Sequence, residues 1–442
     1  MGKGRVGFAH QIVVCLRWAQ PTLLVAGLFL LFTVHWPLST ASYAAELHGF
    51  LQGNYSYRTS DTHCYGAAPC DKYWLLIEER AQISPSYEDP SGIFAAKAKL
   101  DFFHDAVVDG DFDMDVREAY FTMQGGSSDA KIGRQIITWG VGDLLFINDV
   151  FPKDYEAFFS GRPLEYLRKG IDGIKFGVYP DFASFEIIVI PVFEPNKYPD
   201  PKRFFMFDPM PLVTNREEKK PSATFENTEL ALRVYRDIKG FDASLYLYRG
   251  YFRKPYMMPD NINNTTKISL HYPELSIYGA SLQGMALGGV LSLEAGHYDS
   301  RQDKKGRDYT VPNSQTIFLI GYQRQFWEDF TIGIQYYDEY MHDYSEYKEN
   351  QPSGFPSDRR FYQLATIRLT QFLMHQTLKL SFFSFYSTSD GDYMLNPEIR
   401  YSFTDSIWAA IGGNIFGGGE RWSQFGQLEK NGNSYLQVRY EF

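Results

Sequence analysis

Between Gly133 and Gly170 the sequence reads GRQIITWGVGDLLFINDVFPKDYEAFFSGRPLEYLRKG, a stretch that mixes charges of both signs with large apolar side chains. Asp143, Asp149, Lys153, Asp154, Arg162, Arg168 and Lys169 are its candidate functional residues. Charges of both signs, held on a segment with packing contacts of its own, are candidates to set the chemistry of a bottleneck. Arg134 joins them, because a guanidinium pointing the same way can hold the segment's carboxylates by paired hydrogen bonds, a structural role rather than a solute contact. Leu144, Leu145, Phe146, Ile147, Phe151, Phe158 and Phe159 demand burial, and NDVFPKDYEAFF carries the Asn/Asp start and acidic first turn of a short helix.

What could position such a segment is read from the flanking pattern. Alternation of apolar and polar residues predicts eighteen strands, about 46–58, 73–84, 92–104, 112–124, 129–138, 171–180, 182–193, 223–237 and 239–250 in the first half. In the second half they are 274–286, 288–299, 313–325, 329–340, 359–371, 375–386, 392–403, 407–416 and 433–442. Those at 182–193 and 274–286 alternate least clearly, and without them the count is sixteen. Short and long connections tend to alternate: YP near 179 is followed by 194–222, and DIKG at 237–240 by 251–273. A β-sandwich has no reason to keep that phase, whereas outer-membrane barrels have short periplasmic turns, long extracellular loops and an even strand number. The expected fold is therefore all-β, an antiparallel transmembrane barrel. Residues 139–170 form its third extracellular loop, folded into the lumen as a constriction or laid as a lid over the rim; the inward course is the reading taken here.

Composition agrees. Thirty-six Phe, 32 Tyr and seven Trp occur in a chain of negative mean hydropathy, as expected where lipid-facing residues alternate with lumen-facing ones and aromatic girdles mark both interfaces. Phe241, Ala243, Leu245 and Leu247 are expected to face lipid, with Asp242, Ser244 and Tyr246 inside. A charge on the lipid face costs ~2–4 kcal/mol at the midplane, so charged alternates must point inward. This assigns Glu78, Arg80, Lys97, Lys99, Asp101, Arg117, Glu229, Arg233, Glu398, Arg400 and Arg439 to the lumen, as a lattice of ion pairs bracing the wall or as a selectivity lining.

Residues 1–45 read as a secretory signal peptide: Lys3, Arg5 and Arg17, an apolar run from Leu23 to Val34, then small residues at Ser42 and Ala44. A retained N-terminal anchor is the alternative, although the run is short for a bilayer. Its removal takes away three basic and no acidic side chains, leaving 40 basic, 53 acidic and a formal charge of −13, a balance that argues against nucleic acid. Cys64 and Cys70, in HCYGAAPC, are expected to pair as a disulfide outside the cytoplasm. No histidine lies in a nucleophile-elbow setting and FGGGE at 416–420 lacks the lysine of a phosphate loop, so neither an enzyme nor a cofactor or metal is expected.

Gly133-Arg134-Gln135, Trp139-Gly140 and Asn148-Asp149, with REAY at Arg117–Tyr120 on the preceding strand, resemble the porin-like outer-membrane proteins of the alginate-export and related uncharacterised families. The resemblance covers about residues 115–175. It implies an outer-membrane location, contact with lipid and lipopolysaccharide, and passive passage of a small or extended solute. The alternating strand ending on Tyr440 and Phe442 resembles the signal read by the outer-membrane assembly machinery. A second reading stays open: a barrel sheathing a periplasmic multihaem cytochrome.

Overall fold

A computed structural model describes residues 44–60, 73–108 and 110–442. Each half-buried alternating run becomes a strand, because only in a sheet do successive side chains meet opposite faces. Eighteen strands form one sheet: Ala44–Arg58, Trp74–Glu88, Phe94–Asp105, Phe112–Gly125, Ser128–Gln135, Ile171–Val178, Ser184–Ile190, Glu229–Ile238, Phe241–Tyr251, Glu274–Ala286, Gly289–Ser300, Gln315–Trp327, Phe330–Met341, Phe361–Leu373, Leu378–Ser387, Tyr393–Ser402, Ile407–Gly417 and Asn433–Glu441. Every strand pairs antiparallel with its sequence neighbours, and the last closes on the first, Leu51 facing Tyr440 and Tyr55 facing Leu436. Sixteen strands is thereby excluded. Both weakly alternating runs are full members, 184–190 pairing on both sides and 274–286 in continuous register with 241–251 and 289–300.

Exposure alternates as the sequence requires. Leu245, Leu247, Phe318, Ile320, Ile334, Leu436, Val438 and Tyr440 are exposed on the outer wall, while Ser244, Tyr246, Leu319 and Gln437 are buried on the inner one. Closure satisfies the backbone hydrogen bonds that an open edge would leave unmade in lipid. Among the described residues no helix is long and apolar enough to cross a membrane.

One face of the barrel carries short turns, such as 126–127, 239–240, 287–288 and 328–329, and the other the long connections 136–170, 191–228, 252–273, 301–314, 342–360 and 418–432. The long connections are less plain than the sequence suggests. Arg216–Lys219, Tyr256–Pro259 and Ile268–His271 form a separate three-stranded sheet, and Tyr344–Asn350 is a helix. Cys64, Cys70 and the leader at 1–43 lie outside the described residues.

Candidate functional site

The segment 136–170 does not cover the rim; it enters the barrel and is held there by wall residues from many strands. Glu294, 3% exposed, is a principal fixture. Its Oε2 accepts the backbone N–H groups of Val141 (2.8 Å) and Gly142 (3.0 Å), and its Oε1 those of Asn148, backbone (2.8 Å) and side chain (2.9 Å). The four donors match the roughly four acceptor positions that a carboxylate offers. The loop fits because glycines face it. Gly279 and Gly296 sit opposite each other in neighbouring strands, and a Cβ on Gly279 would come within 1.7 Å of Asn148 Oδ1 and one on Gly296 within 2.7 Å of the Ile147 side chain.

Further round the wall, Gln335 exchanges two hydrogen bonds with the Asp143 backbone (2.7 and 2.8 Å), while Arg368 grips the Asp143 carboxylate with both ends of its guanidinium. From the strands that close the barrel, Asn414 and Asn433 both donate to the Phe159 carbonyl at 3.1 Å, and Gln437 donates to that of Gly161 at 2.7 Å. Asp154 caps the helix Tyr155–Phe159, its side chain accepting from Ala157 N at 2.7 Å. This is the short helix that NDVFPKDYEAFF implies.

The eight candidate charges of the segment separate by environment. Asp149 and Lys153 are 2.9 Å apart and nearly enclosed. Burial raises the Asp149 carboxyl and lowers the Lys153 ammonium, each against the pull of the other. Arg162 lies 2.8 Å from Glu78, which is fully buried and also held by Arg80 at 2.9 Å; Arg80 in turn binds Asp101 at 2.6 Å. These are internal fastenings rather than groups lining a passage. Lys169 pairs with Glu194 at 2.5 Å. Arg134 does not reach the loop's carboxylates: it forms a bidentate pair with Asp172 (2.9 and 2.6 Å), its register partner on the next strand and the nearer target. Arg168 is exposed and has no ion pair among the described residues.

Most of the wall charges meet inward groups. Lys99 pairs with Glu118 at 3.1 Å, Glu229 is buried against Arg253, and Arg233 contacts Ser244 and lies over Tyr246. Glu398 accepts from Tyr435 at 2.9 Å, Arg400 covers Trp408, and Arg439 binds Gln52 and Glu165. Lys97 stands opposite Tyr120 and Arg117 lies over the Tyr166 ring. A bulge sets Arg117 apart: Leu100 faces Val116 and Lys99 faces Glu118, leaving Arg117 as the extra residue, so it and Glu118 both reach inner partners.

Sequence reasoning missed a second inward connection, 191–228. Phe204 is 2% exposed within the lumenal apolar cluster, and Arg203 binds Asp105 and the Leu75 carbonyl. The signal was present in KRFFMF at 202–207, too apolar for a solvated loop. Among the described residues no group of three His, Cys, Asp or Glu side chains converges as a metal would require.

No family model and no curated protein matches the sequence, so the motif likeness to alginate-export proteins has no counterpart there. Solved structures do match in shape. Pseudomonas aeruginosa OccD3 (OpdP) superposes with a TM-score of 0.52 at 10% identity, over 90% of this chain and 91% of that one. Pseudomonas aeruginosa OccK11 (OpdR) gives 0.52 at 10% identity, over 90% and 96%, and Acinetobacter baumannii OccAB1 gives 0.53 at 10% identity, over 90% and 96%. The fold is that of the porin-like β-barrels: eighteen antiparallel strands closed on themselves around an inward-folded loop.

Proposed function

We propose that this protein is an outer-membrane channel through which a small solute passes passively, its route narrowed by the segment 136–170. The supporting observation is the way that segment is fixed. It is tied to Glu294, Gln335 and Arg368 and also to Asn414, Asn433, Gln437 and Glu78, so it spans the lumen instead of hanging from one side. An eighteen-stranded barrel is wide enough for an aqueous lumen, and a fixed crosspiece sets its limiting size and chemistry. The outward apolar wall supports the membrane assignment, with the long-loop face outside and the short turns in the periplasm.

The same observation weighs against the cytochrome sheath. A folded partner needs the space that 136–170 and Phe204 occupy, and Glu78, Glu229 and Glu294 are already bound within the chain. A catalytic role has no motif behind it. Kinship with alginate-export-like proteins rests on Gly133–Gln135, Trp139-Gly140 and Asn148-Asp149, and the mixed signs of the lumen give no reason to make alginate the solute. Single-channel conductance in a planar bilayer, repeated with residues 143–169 deleted, tests the proposal. Steady conductance that rises on deletion supports it. Silence in both proteins overturns it.

A further inference from the structure

One cavity stands apart from the fastenings described above. It lies between 136–170 and the wall strands Phe330–Met341, Phe361–Leu373 and Leu378–Ser387, with a volume of about 180 Å³. Its walls are aromatic, chiefly Phe146, Phe158, Phe159, Phe385 and Phe425. An enclosed apolar site of about 150 Å³ is large enough to take a benzene ring, so one ring with a short substituent is the right size here.

The lining is polar as well as aromatic, and its polar atoms are unevenly satisfied. Glu339 lines the cavity, has no ion pair among the described residues, and receives a single side-chain hydrogen bond, from Tyr337 at 2.8 Å. A carboxylate offers about four acceptor positions, so most of Glu339's capacity is unused. The Tyr155 hydroxyl, also on the lining, has no hydrogen-bond partner among the described residues. Tyr362 donates its hydroxyl to Gln424 Oε1 at 3.0 Å, and the Gln424 amide nitrogen, at an exposed position, has no hydrogen-bond partner among the described residues. Lys153 sits over the ring of Phe146, a lining residue, and is neutralised by Asp149 at 2.9 Å. Leu144, on the lining, is held at φ 60°, a backbone state uncommon for a bulky residue.

We infer that this cavity is a solute-binding site for a compact ring-bearing ammonium compound, its ring among the phenylalanines and its N–H groups on Glu339. Aromatic faces attract a cation as the carboxylate does, whereas an anion would meet Glu339 with nothing to neutralise it. Glu339 lies further along its strand toward the long loops than Gln335, which binds Asp143, so the site stands on the long-loop side of that tie. The inference rests on the channel reading, because a site there meets a solute before it passes the loop.

Two measurements on the full barrel keep the two ideas separable. Calorimetric binding in detergent tests the site, with phenethylammonium as probe and phenylacetate as its anionic counterpart. Potassium chloride conductance tests the channel. Phenethylammonium is expected to bind at least tenfold tighter than phenylacetate, and Glu339→Gln, nearly isosteric, to remove most of that preference. Phe158→Leu, which keeps the carboxylate, is expected to weaken phenethylammonium several-fold without reversing the order. Conductance with no binding of phenethylammonium, equal binding of the two probes, or an unchanged preference in Glu339→Gln overturns the site. Selective binding in a protein that does not conduct supports the site and refutes the channel.

Discussion

Replacing Glu294 by Gln puts the docking of the lumenal loop to a quantitative test. The substitution keeps the side chain's shape but turns one of its two acceptor oxygens into an NH2 group. Whichever oxygen is replaced, two donors lose their partner: Val141 N and Gly142 N on one side, or the backbone and side-chain N–H groups of Asn148 on the other. Hydrogen bonds to a charged group are worth ~1.5–3 kcal/mol each, and buried donors left facing another donor add a penalty. Allowing for relaxation of the loop, about 3 kcal/mol is lost, which shifts the docked-to-undocked ratio by roughly two orders of magnitude. Hydrogen exchange read at single amides is the assay, because it reports local opening directly. Val141, Gly142 and Asn148 should lose protection by roughly a hundredfold, while the strand Gly289–Ser300 keeps its own. Protection changed by less than about threefold at all three amides would refute the argument, since the carboxylate would then not hold the loop.

Other outcomes follow from the same fastenings. Arg162→Met leaves Glu78 buried with Arg80 as its remaining cation partner, and breaking such a pair costs about 3–5 kcal/mol, so the denaturant midpoint of the barrel should fall, or the loop should become open to trypsin. Gly279→Val places carbon where Asn148 Oδ1 now lies; exchange at Asn148 should rise while the Glu274–Ala286 strand persists, and an undisturbed loop would contradict the notch. Glu156 is pushed up by burial, but Lys197, Arg203 and Arg162 pull it further down, so its carboxyl sits below the ordinary range. Its contribution is complete above the ordinary carboxylate value and is lost as pH falls through the lowered one. Exchange in Tyr155–Phe159, corrected for intrinsic rates, should therefore accelerate below about pH 4 and change little between 6 and 8.

Strands were legible because a half-buried strand writes its two environments into alternate residues. Phe318 and Ile320 against Gly321 is a pattern that needs no knowledge of the partner strand. The loop's inward course was legible for a related reason: Phe151 and Phe159 have no place in solvent. What holds the loop was not. Glu294 reads as one inward carboxylate among several, and its four donors lie about 150 residues away in the chain. Gly279 and Gly296 look like weak spots in strands until Asn148 is seen against them. A bulge that alternation does not reveal turns Glu118 inward beside Arg117, and Arg134 found a partner fixed by register rather than by the loop.

The ties at the Phe159 and Gly161 carbonyls also bear on how the molecule assembles. Asn414, Asn433 and Gln437 approach from 255 to 276 residues downstream, on the two strands that complete the cylinder. The crosspiece therefore cannot be fully secured until the final seam has formed, and contacts so distant in sequence are slow to make. While that seam is open, Phe158, Phe159 and their neighbours lack part of their cover. Closing the wall and seating the crosspiece thus become one late, cooperative event, with the interior acting as a template around which the last strands are drawn.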